Sequence, residues 1–194
     1  GYNHPLVLTL LIIIAIMFPA KHVAGEIENG TLELLFSLPV KRLEIVFSLW
    51  IFTFFSLSLL IGGLLMGTFT GIKIYLTGLE ISFNRIILIA INLWFLIMAI
   101  HTYTFLLAAF SREGGRTALR ATGITLFFYF LSYVVKLWSG MEKLKYFTIF
   151  NYYQPQKLMI EQADPTQNIM VLATLSVMCL SVAFWKISRR DIPG

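Results

Sequence analysis

The residues whose types and spacing could do chemistry are concentrated in one polar segment, GEIENGTLELLFSLPVKR at positions 25–42. Three carboxylates are followed by a basic pair: Glu26, Glu28, Glu33, Lys41 and Arg42. Apolar residues recur between them at spacings of three and four, which predicts an amphipathic helix over about 25–38, ended by Pro39. At about 1.5 Å per residue this helix is roughly 20 Å long, too short and too acidic to cross a bilayer. We expect it to lie along a membrane surface and to present its acidic face to a partner in water.

An alternative role for this segment is an anchor that only rests on lipid. Such anchors usually carry Lys and Arg, because the lipids of the inner leaflet are anionic. The acidic face is repelled by that surface, which favours docking to a protein. Gly30 falls in the middle of the predicted helix, where glycine costs about 1 kcal/mol relative to alanine, and a partner backbone that comes close there would explain its presence.

Four polar side chains in apolar runs are candidates for a substrate path: Asn92, His101, Tyr129 and Tyr133. His101 could relay protons or bind a metal, but no His, Cys or carboxylate stands at helical spacing from it, which favours a neutral imidazole hydrogen-bonded between helices. Asn92 is more typical of an interhelical hydrogen bond than of a ligand contact. The aromatic block 127–133 runs around its helix, so part of it faces lipid and part could line a path.

The composition defines the class of protein. Of the 194 residues, 58% are hydrophobic and 13% charged, against about 45–50% and 25% in soluble domains, and the mean hydropathy is +0.80. The sequence therefore predicts an integral membrane protein, and the net charge of +5 suits anionic lipid headgroups. Cys179 is the single cysteine and lies in an apolar run, so no disulfide forms within one chain.

Hydropathy predicts an all-α membrane domain over 1–194 with five spans, at about 5–20, 45–70, 85–110, 117–137 and 168–186. The glycines of the second span, Gly62, Gly63 and Gly67, favour close helix packing. Segment 139–167 mixes aromatic residues with lysines, which predicts a re-entrant or interfacial segment with short helices. The chain opens at Gly1 without an initiator Met, and we expect a preceding helix.

Lysine and arginine counts predict the orientation. One side holds the polar segment, the 112–120 turn and the C-terminal tail, and it carries nine basic residues against six on the other. The positive-inside rule therefore places the polar segment and the C-terminus in the cytoplasm.

The spans hold no carboxylate in their apolar interiors, although ion-coupled carriers generally need one. The chain also has no Gly-x-x-x-x-Gly-Lys-Ser/Thr phosphate loop, so we expect an ATP site on a separate subunit. A membrane enzyme would need a nucleophile, a metal cluster or a His–carboxylate pair at membrane depth, and the sequence offers none. We therefore expect no catalysis and no cofactor on this chain, with ATP and Mg on the partner.

The polar segment resembles the E-x-E-x-G-T-L-x-x-L-L-x-x-P-x-x-R signature of exporter-type (type 2) ABC transporter permeases. In that family it is the cytoplasmic coupling helix, which docks on the ATP-binding subunit. Carried onto this sequence, the resemblance implies a contact set of Glu26, Glu28, Asn29, Gly30, Thr31, Glu33, Ser37 and Arg42. The family often has a Lys shortly after the Arg, where this chain has Phe47 and Ser48. Two weaker features, Asn151-Tyr152-Tyr153-Gln154-Pro155 and the terminal Arg190-Asp191-Ile192-Pro193, are similar to the family's outer-loop and C-terminal motifs.

The resemblance implies a permease subunit of an ABC exporter in the cytoplasmic membrane of a prokaryote. Its partners would be ATP-binding subunits, a second permease, identical or homologous, and lipid, with no nucleic acid. Six spans are usual in the family, and the first and fourth spans seen here would line the dimer interface. The rival hypothesis is a non-transporting scaffold or sensor that uses the same fold with an ATPase partner.

Overall fold

The computed structural model describes residues 2, 4–30, 42–75, 82–160 and 165–189. Within these ranges the chain is helical without strands, as the sequence predicted. In the described part of the chain, five helices are long and apolar enough to cross a membrane: α1 (Pro5–Glu28), α2 (Arg42–Tyr75), α3 (Phe83–Phe110), α4 (Gly114–Leu137) and α6 (Pro165–Ser188). A short helix, α5 (Pro155–Met159), precedes α6. The prediction of an all-α integral membrane protein with five spans is confirmed.

The central element is α3, which packs against α1, α2, α4 and α6. Its fully buried apolar residues include Leu93, Leu96, Ile97 and Ile100. It also carries four of the buried polar residues of the described chain, Asn92, His101, Thr102 and Thr104. Polar side chains are costly against lipid, which explains why the helix that bears them is the one enclosed by the others.

Small residues pack between the helices, but at other positions than the sequence suggested. Ala108 and Ala109 of α3 lie with Ala183 of α6 in one buried cluster, at the end of the bundle that holds residues 20–28. By contrast, a Cβ added at Gly62, Gly63 or Gly67 would meet no atom within 4 Å. The expected close packing of these three glycines is therefore not seen within the described part of this chain.

The helix α1 continues further than its hydropathy indicated. The first span was expected to end near residue 20 and a separate helix to begin near 25. Instead α1 runs to Glu28 through one π-helical turn, Ala20–Gly25. It ends at Gly30, whose φ of +70° turns the chain out of the helix. Glycine adopts this left-handed conformation without steric cost, so Gly30 terminates the helix and does not lie in the middle of one. The remainder of the predicted coupling helix, from Thr31, falls outside the described residues.

The segment between α4 and α6 folds back into the bundle as two 3-10 helices, Ser139–Phe147 and Ile149–Tyr152, followed by α5. Two interhelical hydrogen bonds hold it. The Thr148 hydroxyl donates to the Phe128 carbonyl of α4 at 3.0 Å, and the Asn92 amide of α3 donates to the Tyr152 carbonyl at 3.0 Å. Phe128 and Asn92 each lie nine residues from an end of their helix, which is about 13 Å along the helix axis. Non-helical backbone is tolerated at such depth only where protein groups satisfy it, and these side chains supply that satisfaction.

Candidate functional site

The π-helical turn of α1 follows Pro19, and its neighbourhood explains the buried histidine. Proline has no N–H and cannot donate to the carbonyl four residues earlier, that of Ala15. The Nδ1 atom of His101 lies 3.3 Å from that carbonyl oxygen. A carbonyl only accepts, so Nδ1 carries the proton and donates. His101 is fully buried, and it replaces the hydrogen bond that Pro19 removes from α1.

This pairing predicts a non-additive stability effect. Replacing His101 with leucine should leave the Ala15 carbonyl unsatisfied within the bundle and destabilise the protein by about 1 kcal/mol. In a Pro19→Ala background the restored N–H can reach that carbonyl, so the same His101→Leu change should cost less. Unfolding equilibria in detergent for both single variants and the double variant measure the coupling. An equal cost of His101→Leu in both backgrounds would contradict the assignment.

The start of α4 packs directly on the π-helical turn. A Cβ added at Gly114 would lie 2.9 Å from the Ala20 carbonyl oxygen, closer than real Cβ atoms come, and 3.2 Å from the Gly25 Cα, closer than most real contacts. Both obstacles are backbone atoms and cannot rotate away. Gly114 and Gly25 therefore allow two backbones to touch, and the end of α1 is locked against the beginning of α4. We call this contact the α1–α4 junction, formed by Ala20, Gly25, Glu28 and Gly114.

A carboxylate completes the α1–α4 junction. The Glu28 Oε2 atom accepts a hydrogen bond from the Gly114 backbone N–H at 2.9 Å. The residue before α4, Glu113, makes no side-chain cap and pairs instead with Arg116 at 2.7 Å. Glu28 thus caps α4 from a different helix, where a negative charge also complements the helix dipole. A displacement of the chain at Glu28 must therefore act on the first turn of α4.

Of the other predicted contact residues, four belong to the described part of the chain. Glu26 lies 3.9 Å from His22, one turn back along α1. Asn29 is exposed and its N–H bonds the Gly25 carbonyl in the last turn, while Gly30 makes the exit from the helix. Arg42 begins α2. Thr31, Glu33 and Ser37 lie outside the described residues, so the docking role of the predicted set stays a prediction.

An apolar cavity of about 310 Å³ lies between α1 and α4, on the membrane side of the junction. Thr9, Ile12 and Ile16 line one wall, and Thr122, Thr125 and Tyr129 line the other. Tyr129 is 37% exposed, and its ring lies 5.4 Å from that of Tyr133, which is 53% exposed. Of the four residues predicted for a substrate path, Tyr129 lines this cavity. Asn92 and His101 instead make the buried hydrogen bonds described above.

The sequence did not identify the glycine contact or the cavity threonines. The pair Gly114-Gly115 was assigned to a turn, and its spacing from Gly25 carries no periodic signal because the two segments are about ninety residues apart. Thr122 and Thr125 stand three residues apart on α4. This spacing puts both hydroxyls on one face of the helix and could have indicated a mildly polar face.

One end of the bundle collects the chain segments that the predicted topology places on one side of the membrane. Glu28 contacts the first residue of α4, and the Lys186 ammonium of α6 lies 5.2 Å above the Phe110 ring at the end of α3. Residues 25–30, the 112–116 turn and the C-terminal end of α6 therefore share one end of the described bundle. These features define a polytopic, all-α membrane protein in which the end of α1 contacts the start of α4 beside an apolar cavity.

The comparisons with known proteins identify the family. A family model described as "ABC-2 family transporter protein" matches residues 3–184. The chain thus belongs to the ABC-2 type transporter permease family and is a multi-pass membrane permease subunit. Neither the curated proteins nor the solved structures give a significant match.

Proposed function

We propose that this chain is the permease subunit of an ATP-driven exporter, whose conformational changes are powered by separate ATP-binding subunits docked on residues 26–38 and Arg42. The observation that carries the proposal is the α1–α4 junction: an acidic segment at the end of α1 holds the start of α4 through Glu28 and Gly114. The family supports an ATP-binding partner in general terms.

The proposed mechanism is mechanical. Two ATP-binding subunits close on ATP and displace the acidic segment. Because Glu28 and Gly25 contact Gly114, that displacement is passed to α4. The helices α1 and α4 are also the two walls of the apolar cavity, so their relative tilt changes its width. A second permease, identical or homologous, would face these helices and complete the path.

The cavity favours an amphipathic or apolar substrate. Its walls are mostly aliphatic, with threonine hydroxyls and the Tyr129 phenol as polar groups. The orientation follows from the basic residues: the end with Arg112, Arg116 and Lys186 would face the cytoplasm of a prokaryotic cell. The acidic segment then meets the ATP-binding subunits, and the outward direction of transport follows from the resemblance of its motif to exporters.

The test is charge reversal in the acidic segment. Glu33→Lys should leave membrane insertion intact and abolish co-purification with the cognate ATP-binding subunit, because the docking face changes sign. The matched control is Glu44→Lys, the same charge change at an exposed position of α2 near the same end of the bundle. Association that survives Glu33→Lys unchanged would reject the docking role.

A second measurement separates transport from signalling. Vesicles reconstituted with the permease and its ATP-binding subunits should accumulate an amphipathic substrate in an ATP-dependent manner. ATP hydrolysis that depends on the permease but moves no candidate substrate would favour a scaffold or sensor with the same fold.

A further inference from the structure

A second cavity, of about 490 Å³, lies at the opposite end of the bundle from the α1–α4 junction. Its position follows from α4, which begins at Gly114 beside Glu28 and reaches this cavity at Val135 and Lys136. The polar lining residues come from α4, the two 3-10 helices, α5 and the link before it: Lys136, Lys145, Asn151, Tyr153, Gln154, Gln156 and Lys157. We call this cavity the lysine pocket. Among the described residues that line it, none is acidic.

The three lysines of the pocket are not neutralised by the described part of the chain. Lys136 ends α4, Lys145 lies on the first 3-10 helix and Lys157 lies on α5. None of them forms an ion pair with a carboxylate of the described residues. Three ammonium groups around one concave surface repel each other and concentrate a positive potential there. A bound anion removes that repulsion and gains charge-assisted hydrogen bonds from the lysines.

The frame around the lysine pocket is held by hydrogen bonds between its elements. The Tyr153 hydroxyl donates to the Tyr2 carbonyl at 2.7 Å, and Arg85 donates to the Met159 carbonyl at the end of α5. Burial, with the neighbouring Tyr2 adding to it, raises the pKa of the Tyr153 phenol, so this lining group stays neutral and brings no negative charge. The Gln154 amide donates to the Asn151 carbonyl at 2.6 Å. A site held in this way loses little conformational entropy when a ligand binds.

The depth of the pocket identifies the kind of anion. Trp138, Tyr146 and Phe147 border it along the chain and are 64%, 60% and 73% exposed. Exposed aromatic residues mixed with lysines at the end of a span are typical of the headgroup layer of a membrane. Clustered lysines at that depth attract the phosphates of anionic lipids by charge, as basic pockets between helices do on the cytoplasmic side. The adjacent side chains therefore favour a lipid over a ligand free in water.

We propose that the lysine pocket binds the phosphate of an anionic phospholipid headgroup, at the membrane surface opposite the polar segment. This site is distinct from the proposed substrate cavity and does not depend on docking of an ATP-binding subunit. Lys145 and Lys157 contact the phosphate from two sides, Lys136 from the end of α4, and the amides of Asn151 and Gln156 offer further donors.

The experiment uses the full chain in nanodiscs made of equal parts phosphatidylglycerol and phosphatidylcholine. Native mass spectrometry of the released protein should show phosphatidylglycerol retained in preference to phosphatidylcholine. Lys145→Gln combined with Lys157→Gln should lower that preference on the order of tenfold, because each lysine near the surface contributes to anionic-lipid binding. The matched control combines Lys73→Gln with Lys143→Gln, which removes the same charge from lysines on the same membrane side outside the pocket. The control should retain the preference.

Four outcomes decide the proposal. Equal retention of the two lipids by the unmodified protein would overturn it, as would an equal loss of preference in the pocket and control variants. Addition of inorganic phosphate tests whether the pocket binds the phosphate of a lipid or a free phosphate ion. Displacement of phosphatidylglycerol by excess phosphate supports recognition of the phosphate group, whereas phosphate bound in the pocket without any lipid preference would overturn the lipid assignment. Failure of this site would leave the Glu33→Lys test of docking unaffected.

Discussion

Replacing Gly114 with valine should separate α4 from α1 and reduce the midpoint of thermal unfolding by several degrees. The added Cβ would lie 2.9 Å from the Ala20 carbonyl oxygen, and backbone atoms cannot move aside without shifting a helix. Overpacking of this kind typically costs about 1–3 kcal/mol. We expect the upper part of that range, because the two further methyl groups of valine must also find space between two backbones. Thermal unfolding in detergent measures the loss.

The neighbouring glycine provides the control. A Cβ at Gly115 would meet nothing within 4 Å, and alanine favours the helical state over glycine by about 1 kcal/mol. Gly115→Ala should therefore be neutral or slightly stabilising. If the junction also transmits force, Gly114→Val should reduce permease-dependent ATP hydrolysis while Gly115→Ala preserves it. A Gly114→Val protein that unfolds at the same temperature as the unmodified chain would contradict the close approach.

Replacing Gly30 with valine should impair coupling more than it impairs folding. Gly30 has a φ of +70°, a region in which an L-residue costs about 1–2 kcal/mol, and β-branched residues are especially disfavoured there. A Cβ at this position meets no atom within 4 Å, so the cost arises in the backbone and not in packing. The chain that follows, with Glu33, would leave α1 in a different direction. A penalty of that size on the docking-competent conformation weakens association by roughly 5- to 30-fold.

The variant Gly30→Asn separates the effect of the backbone conformation at this position from the effect of adding a side chain. Asn tolerates the left-handed conformation better than other residues with a side chain, so Gly30→Asn should retain most of the association. The measurement is co-purification with the ATP-binding subunit over a concentration series. Equal loss in Gly30→Val and Gly30→Asn would indicate that the side chain itself obstructs the partner. Equal retention would indicate that the direction of the chain at Gly30 does not matter for docking.

Positions 31–38 remain a prediction from sequence, whereas the residues before them illustrate why boundaries are difficult to predict. Hydropathy falls after residue 20, at Lys21 and His22, which suggested that the span ended there. The backbone nevertheless stays helical to Glu28, because its hydrogen bonds are local and do not depend on whether side chains face lipid or water. The sequence also predicted Gly30 in the middle of a helix, because its spacing fitted the amphipathic pattern. Residue spacing does not indicate whether φ is positive or negative.

His101 and Asn92 show the opposite case, in which sequence reasoning gave the kind of contact but not the partner. A lone polar side chain in a span predicts an interhelical hydrogen bond, and both residues make one. Their partners are main-chain carbonyls of Ala15 and Tyr152, about sixty to ninety positions distant. Backbone carbonyls are the same at every residue, so no side-chain pattern could have named them.

The sequence by itself determined the membrane class, the number of visible spans and the acidic character of the polar segment, because hydropathy and charge are sums over local residues. The folded arrangement determined which residues touch: Gly114 with Ala20 and Gly25, Glu28 with the first N–H of α4, and the lysines of three elements around one pocket. These contacts join positions far apart in the chain and depend on helix rotation and depth. Rotation and depth are set by packing among all the helices, and no local pattern of residues encodes them.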